Sequence, residues 1–429
     1  AGGNAISERI GEFLMEHGSS TVNAQSIDAN DIAKRLELTA EQCALGAGVK
    51  NRYLVGKGAL KGIPVHPLGF LWSNYLSLKG RLRLMTEFAV PRNKNKAEET
   101  IAEFAGRRFG KEFSAKVIDP LVAGIYAGRA GELSVKAGFP KLYGLEQKYG
   151  SISLGLVQHH RQGAKNMPSS RLFSFKDGIG FLPKALADAL GERVKTGVTV
   201  RRIKKTLHGF SIDTEDKSKL RARAIVVATQ PHVAAELLED VDVYSSHTAS
   251  EIEAPPLAVV YFGFKRKDVE HPLDGLGFLA PESEKLSMSG SQFCSTMFPG
   301  RAPQDCVSMA GYFGGARAPE LAQLPAADLT EIARREFKDL VGAKGEPVVS
   351  RVRHWLRGLP QYKIGHTDRV QTMLKANQRV PGLFLTGNYI CGPSVAVCID
   401  QAGKTAVNVA NHLDAHVPSD MEQTQKAAM

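Results

Sequence analysis

Near the C-terminus a short apolar run, Gly382-Leu383-Phe384-Leu385-Thr386, leads into the loop Gly387-Asn388-Tyr389-Ile390-Cys391-Gly392-Pro393. A long stretch of helical period begins near Ser394. A helix that starts behind a glycine-bearing loop turns its unpaired first N–H groups, here at Val395, Ala396 and Val397, toward whatever the loop leaves room for. The positive end of the helix dipole points the same way. An anion, or an electron-rich ring that gathers negative charge, suits that place. An ordinary strand–helix unit with a glycine turn fits the spacing equally well. The five Cys are scattered, with no Cys-x-x-Cys pair and no metal-ligand spacing, so reduced and mostly buried thiols are expected, and no metal. No side-chain triad signature is present, and no residue is singled out as catalytic.

The elements that must position this unit follow from periodicity. Val395, Cys398, Ile399, Ala402, Ala406, Val409, Ala410 and Leu413 fall at helical spacing. Ala224–Thr229 is a continuous apolar run, as expected of a parallel strand buried on both faces. Val198–Thr206 and Gly209–Asp213 alternate as a hairpin, and Phe181–Leu190 reads as a helix stopped by Gly191. Leu257–Phe264, Gly277–Ala280 and Val307–Tyr312 predict a second, sheet-based lobe. Residues from about 60 to 165 read as helical: Ile101, Phe104, Ala105 and Phe109 make one stripe, and Phe113 to Ile125 another, which Pro120 bends or divides. Glu12–Glu16 predicts a short strand before the turn His17-Gly18-Ser19-Ser20.

A chain of 429 residues with 43 % hydrophobic and 23 % charged residues suits two or three globular lobes. No apolar run is long enough to span a bilayer, and Ala1-Gly2-Gly3-Asn4 lacks the apolar core of a secretory signal. The net charge of +11 admits nucleic acid, an acidic membrane surface or an anionic ligand as partner. The basic clusters Lys79–Arg83 and Arg201–Lys205 lie beside apolar residues without a nucleic-acid motif, so the last two are favoured and no nucleic acid is expected.

Gly382–Ala406, with Val395-Ala396-Val397 followed by Cys398-Ile399, resembles the C-terminal flavin motif of the protoporphyrinogen oxidase family, within the flavin-containing amine oxidases. Asn388 stands where amine oxidases usually carry an acid, which favours the porphyrinogen branch. The likeness continues in order along the chain. It takes in Tyr126–Arg129, Glu132–Val135, Phe139-Pro140, Asp177–Gly180, Gly197–Val200, Ala228–Pro231 and Pro360–Tyr362 with Gly365-His366. The resemblance implies an α/β fold with three parts. These are a Rossmann-like FAD-binding domain (1–25, 170–230 and 378–415), a mixed-sheet substrate domain (26–60 and 231–377) and a helical domain (61–169) with a membrane contact. Residues 416–429 read as a polar, disordered tail. FAD is the implied cofactor. It would be held by Gly2, Gly3, Asn4, Gly18, Ser19, Ser20 and Thr21, by the backbone of Val200 at the adenine end, and by Gly387, Val395, Ala396 and Val397.

A dinucleotide-binding flavoprotein opens with a strand, Gly-x-Gly-x-x-Gly and a helix. None of these occurs in residues 1–30, where Gly2-Gly3 resembles the paired glycines that come later. One βαβ arm is therefore expected upstream of Ala1, and the chain as it stands is expected to bind FAD poorly and to have little activity.

The resemblance implies that protoporphyrinogen IX is oxidised to protoporphyrin IX in tetrapyrrole biosynthesis, with dioxygen as acceptor. Coproporphyrinogen III oxidation, another amine oxidase or desaturase activity, and an inactive truncated product are the alternatives. Leu276 and Leu279 are the implied clamp on the macrocycle, although plain core leucines fit the period as well. The family's propionate-binding arginine follows a proline that is Pro64 here, and Leu68 stands in its place; Arg129, Arg52 and Lys61 are the remaining candidates, with Arg129 put first. The aromatic and base-flanked Ile63–Arg83 stretch suits a peripheral membrane contact or a core helix with a solvated turn. The expected compartment is the cytoplasm, with attachment to the inner face of the cell membrane as the alternative, and a homodimer is compatible with this reading.

Overall fold

A computed structural model describes residues 2–63, 73–93, 97–161 and 172–415. The stretch 64–72, with Pro64 and Leu68, and the expected tail 416–429 lie outside the described residues. The chain forms two compact units. The first takes in 1–25, 33–189 and 254–365, and the second 26–32, 190–253 and 366–429. Residues 1–25 thus group with the large sheet rather than with 190–230, because their strand Phe13–Glu16 packs on that sheet through Phe13 and Met15.

The first unit is built on a seven-stranded mixed sheet. Its order is Val349–Trp355, Leu257–Lys265, Cys306–Gly314, Met288–Gln292, Gly275–Leu279, Asn51–Gly56, Ala59–Ile63. All neighbours are antiparallel except Gly275–Leu279 with Asn51–Gly56. The helix Ala326–Val341 carries Leu329, Ala333, Phe337 and Leu340 on one stripe and lays it on the sheet's Phe262 and Phe278. Gly277, at φ +134°, sits at an irregularity of the parallel pairing; a Cβ there would lie 1.9 Å from the Ser291 carbonyl oxygen, so only glycine fits.

The helices of the same unit share a core of Phe104, Val122, Tyr126, Leu133 and Ile152. Ile101–Phe109 starts with a capping box between Thr100 and Glu103, which anchors the predicted stripe. The predicted break near Pro120 takes the form of a π-helical segment, Ser114–Ile118, before Asp119–Tyr126. Pro120 has no N–H to offer the Lys116 carbonyl. The Tyr75 hydroxyl lies 3.1 Å from that oxygen and 3.0 Å from the Val55 carbonyl, on the strand Asn51–Gly56. A buried ionic cluster joins these helices: Arg108 is ion-paired with Glu146 at 2.7 Å and Glu87 at 3.2 Å, and Arg107 with Glu99 and Glu146.

The second unit holds the predicted hairpin, extended to three strands: Val200–Thr206, Gly209–Thr214 and Lys219–Ala222. Ile225–Val227 pairs in parallel with Leu383–Leu385, residue for residue, and helices Pro231–Leu238 and His366–Leu374 contribute to the core around Leu238, Met373, Leu383 and Tyr389. Two expectations need correction. Val226 is 42 % exposed, so the parallel strand is not buried on both faces. In the helix Val395–Ala415 only Ala396 and Thr405 are buried, while Ala402, Ala406 and Ala410 face outward. Periodicity identifies the apolar face of an element but not whether anything covers it.

Candidate functional site

The expected cofactor residues fall on both units. In the first, Gly2 and Gly3 have φ of +100° and +56°, and the Ala5 N–H donates to the Gly2 carbonyl at 3.0 Å, closing a tight turn. A Cβ on Gly2 would meet Pro183 at 2.8 Å, whereas one on Gly3 would meet nothing within 4 Å. Gly2 is therefore needed for packing, and Gly3 presents an open backbone. Gly18 lies against Asn4: a Cβ there would be 3.2 Å from the Asn4 carbonyl oxygen. Ser20 is buried and donates its hydroxyl to Gln292 Oε1 at 3.1 Å. Gly2–Asn4 and Gly18–Thr21 are thus brought side by side.

Beneath them lies a polar cluster absent from the sequence reading. Arg301, 2 % exposed, reaches Glu16 Oε1 at 3.0 Å and donates to Ser174 Oγ at 2.8 Å. Glu16 also accepts from the Ser7 hydroxyl at 2.5 Å and the Ile179 N–H at 3.0 Å. Burial pushes the Glu16 carboxyl above its usual range, against the pull of the Arg301 charge and these hydrogen bonds. The cluster ties the strand ahead of Gly18 to the Asp177–Gly180 turn. Glu16 ends the predicted strand Glu12–Glu16, but its cation is far away in sequence, and nothing local to Arg301 marks it.

In the second unit Val200 opens its strand, and Gly387 and Gly392 have φ of +140° and +135°. The expected loop is partly ordered as a helical turn, Asn388–Cys391, whose Tyr389 is buried and receives His366 Nε2 on its carbonyl at 2.9 Å. Ser394 Oγ accepts the Val397 N–H at 3.3 Å, and the twenty-one-residue helix follows. A Cβ on Gly387 would lie 2.9 Å from the Tyr389 ring and one on Gly392 3.3 Å from Val397, so the loop needs both glycines; the long helix behind them, its first turn partly exposed, offers N–H groups and positive dipole to an electron-rich or anionic group. Within this unit these residues fit the electron-rich part of a flavin.

Leu276 and Leu279, both half-buried, lie on the strand Gly275–Leu279. Leu279 packs over Gly124 on the helix Asp119–Tyr126: a Cβ on that glycine would come within 2.6 Å of Leu279 Cδ2. Arg129 is engaged inside the protein. It donates to the Ala316 and Arg317 carbonyls at 2.9 and 2.8 Å and is ion-paired with Glu282 at 3.3 Å. Arg52 lies in the strand Asn51–Gly56, and burial pulls its guanidinium below its usual range; Lys61 is exposed on Ala59–Ile63. Among the described residues no cluster suited to a metal ion occurs.

Known proteins resemble the chain over nearly its whole length. It is 28 % identical to a chloroplastic protoporphyrinogen oxidase of Nicotiana tabacum, with 96 % of this chain and 80 % of that protein aligned. It is 27 % identical to a coproporphyrinogen III oxidase of Bacillus subtilis, over 95 % of this chain and 89 % of that one. The fold matches a crystal structure from Exiguobacterium sp. 255-15, provisionally named a protoporphyrinogen oxidase, with a TM-score of 0.80 at 20 % identity, covering 96 % and 90 % of the two chains. The sequence profile of the flavin-containing amine oxidoreductases matches residues 1–413; the chain belongs to that family, as an FAD-dependent oxidoreductase.

Proposed function

We propose that this protein oxidises a porphyrinogen to a porphyrin, with protoporphyrinogen IX as substrate and dioxygen as the final acceptor. The observation that carries this reading is the Gly387–Val397 unit, whose porphyrinogen-type wording stands on a helix N-terminus fitted to a flavin. FAD, when bound, supplies the two-electron acceptor chemistry. The chain's own part is to bind, orient and exclude water. The first-turn amides of Val395 and Ala396 favour negative charge beside them. In the first unit the backbones of Gly2–Asn4 and Gly18–Thr21, and in the second that of Val200, are the groups that would hold parts of the dinucleotide; residues 1–30 carry no Gly-x-Gly-x-x-Gly. Leu276 and Leu279 supply apolar surface for the flat macrocycle. The internal bonds of Arg129 suit a brace for this wall better than a propionate anchor.

The similar identity to a coproporphyrinogen III oxidase favours a second reading, coproporphyrinogen III as substrate. The two substrates differ by two propionates against two vinyls. Supplying the FAD-loaded protein with each porphyrinogen and following porphyrin fluorescence separates them, and no turnover of either by flavin-saturated protein defeats both.

A peripheral membrane contact belongs to the same proposal. On the helix Leu78–Met85 and the turn after it, Leu78, Leu82, Met85 and Phe88 are all more than half exposed, with Lys79 beside them. Arg83 turns inward instead, to the carbonyls of Arg107 and Arg108. Among the described residues no helix is long and apolar enough to cross a membrane. The exposed apolar face with a basic flank suits a surface-bound helix.

A further inference from the structure

Two thiols meet where the glycine loop of the second unit becomes the long helix. Cys391 ends the turn Asn388–Cys391, and Cys398 lies in the first turn of Val395–Ala415. Cys398 Sγ is 3.5 Å and Cys391 Sγ 3.9 Å from one oxygen, the Gly392 carbonyl. Both thiols are half-buried, so small oxidants can reach them. The flavin reading uses neither.

We propose that Cys391 and Cys398 form a reversible disulfide, with a hydroperoxide as oxidant, which staples the glycine loop to the start of the helix. Cys398 is the attacking thiol. The neighbouring Cys391 thiol holds it below its usual range, and its place in the first helical turn works in the same direction. The Cys398 thiolate attacks one peroxide oxygen, the O–O bond breaks, and Cys398 becomes a sulfenic acid with release of hydroxide. Cys391 sulfur then attacks that sulfur, the S–O bond breaks, and water leaves. In sum two thiols and one hydrogen peroxide give one disulfide and two waters. The closed loop holds only Gly392–Val397 between the two sulfurs' residues, so the bond restrains the segment whose amides would face the flavin. The oxidase reading bears only on the natural source of peroxide, so the test supplies peroxide directly and the two readings fail separately.

The reduced, FAD-loaded full chain is exposed to hydrogen peroxide, its free thiols are alkylated, and the tryptic peptide 380–404, which contains both cysteines, is weighed. The expected peptide carries no alkyl group and is lighter by two hydrogens, and dithiothreitol restores both alkylation sites. Cys43, Cys294 and Cys306 serve as internal controls that stay alkylated. Cys391→Ser should leave Cys398 as a sulfenic acid that dimedone traps, whereas Cys398→Ser should abolish the peroxide reaction at Cys391. Full alkylation of both cysteines after peroxide overturns the proposal, as does separate oxidation of each to sulfinic or sulfonic acid.

Discussion

Replacing Arg301 by Met asks whether the buried cluster under the Gly18 segment holds it in place. Methionine keeps an apolar stem of similar reach and deletes the cation. Glu16, 7 % exposed, would then keep only the Ser7 hydroxyl at 2.5 Å and the Ile179 N–H at 3.0 Å. Removing one partner of a buried ion pair costs about 3–5 kcal/mol, out of a total of about 5–15 kcal/mol for a domain. At an m-value of about 3 kcal/mol/M the urea midpoint should fall by roughly 1–2 M. The pH dependence has a definite sign. Burial raises the Glu16 carboxyl above the ordinary 4.5, so between the unfolded and folded values the native state carries the extra proton. Stability from this group therefore falls as pH rises through that window. Arg301 opposes the rise, and without it the window extends upward, so Arg301→Met should lose least in acid and most near neutrality. Adding Glu16→Gln should recover more than half of the loss. FAD titration should show weaker binding by Arg301→Met, because Gly18 lies two residues past Glu16. A loss at neutral pH under about 1 kcal/mol, or one that grows on acidification, would refute the reasoning.

Other outcomes follow from the same structure. Gly277→Ala places a Cβ 1.9 Å from the Ser291 carbonyl oxygen at φ +134°, so thermal melts should show a loss of at least about 3 kcal/mol, whereas Gly3→Ala, with nothing within 4 Å, should lose only about 1 kcal/mol. Arg108→Met, at a side chain 0 % exposed and paired with Glu146, should cost about 3–5 kcal/mol by urea denaturation. A matching Glu146→Gln change should offset part of that loss. Leu82→Glu with Met85→Glu should lower co-sedimentation with anionic vesicles without changing the melting temperature, since both residues are more than half exposed. Unchanged sedimentation would remove the membrane contact from the proposal.

The parts legible in the sequence were those carried by local period and local backbone. The stripe of Ile101, Phe104 and Ala105, the hairpin at Val200–Thr206 and the helix from Val395 all follow from spacing that neighbouring residues enforce. Leu276 and Leu279 were harder to assign to a face, because the irregular pairing around Gly277 breaks the period of two. The openness of Val226 and Ala402 was hidden for another reason: an apolar stripe looks the same whether covered or not. Arg301 was illegible because its meaning comes from Glu16 and Ser174, which chain folding alone brings near.

The Tyr75 hydroxyl beside Lys116 carries a consequence for how this protein tolerates change. The carbonyl it meets is one that Pro120 cannot serve, and the same hydroxyl reaches the Val55 carbonyl. Restoring an N–H at position 120 would let the helix reclaim the Lys116 oxygen, and the tyrosine would lose half its reason to be there. Losing the tyrosine first would remove the one hydroxyl proton these two carbonyls share. The two positions are therefore expected to covary among homologues, with proline at 120 accompanied by a hydroxyl at 75, so that a flaw in one helix is inherited together with its remedy.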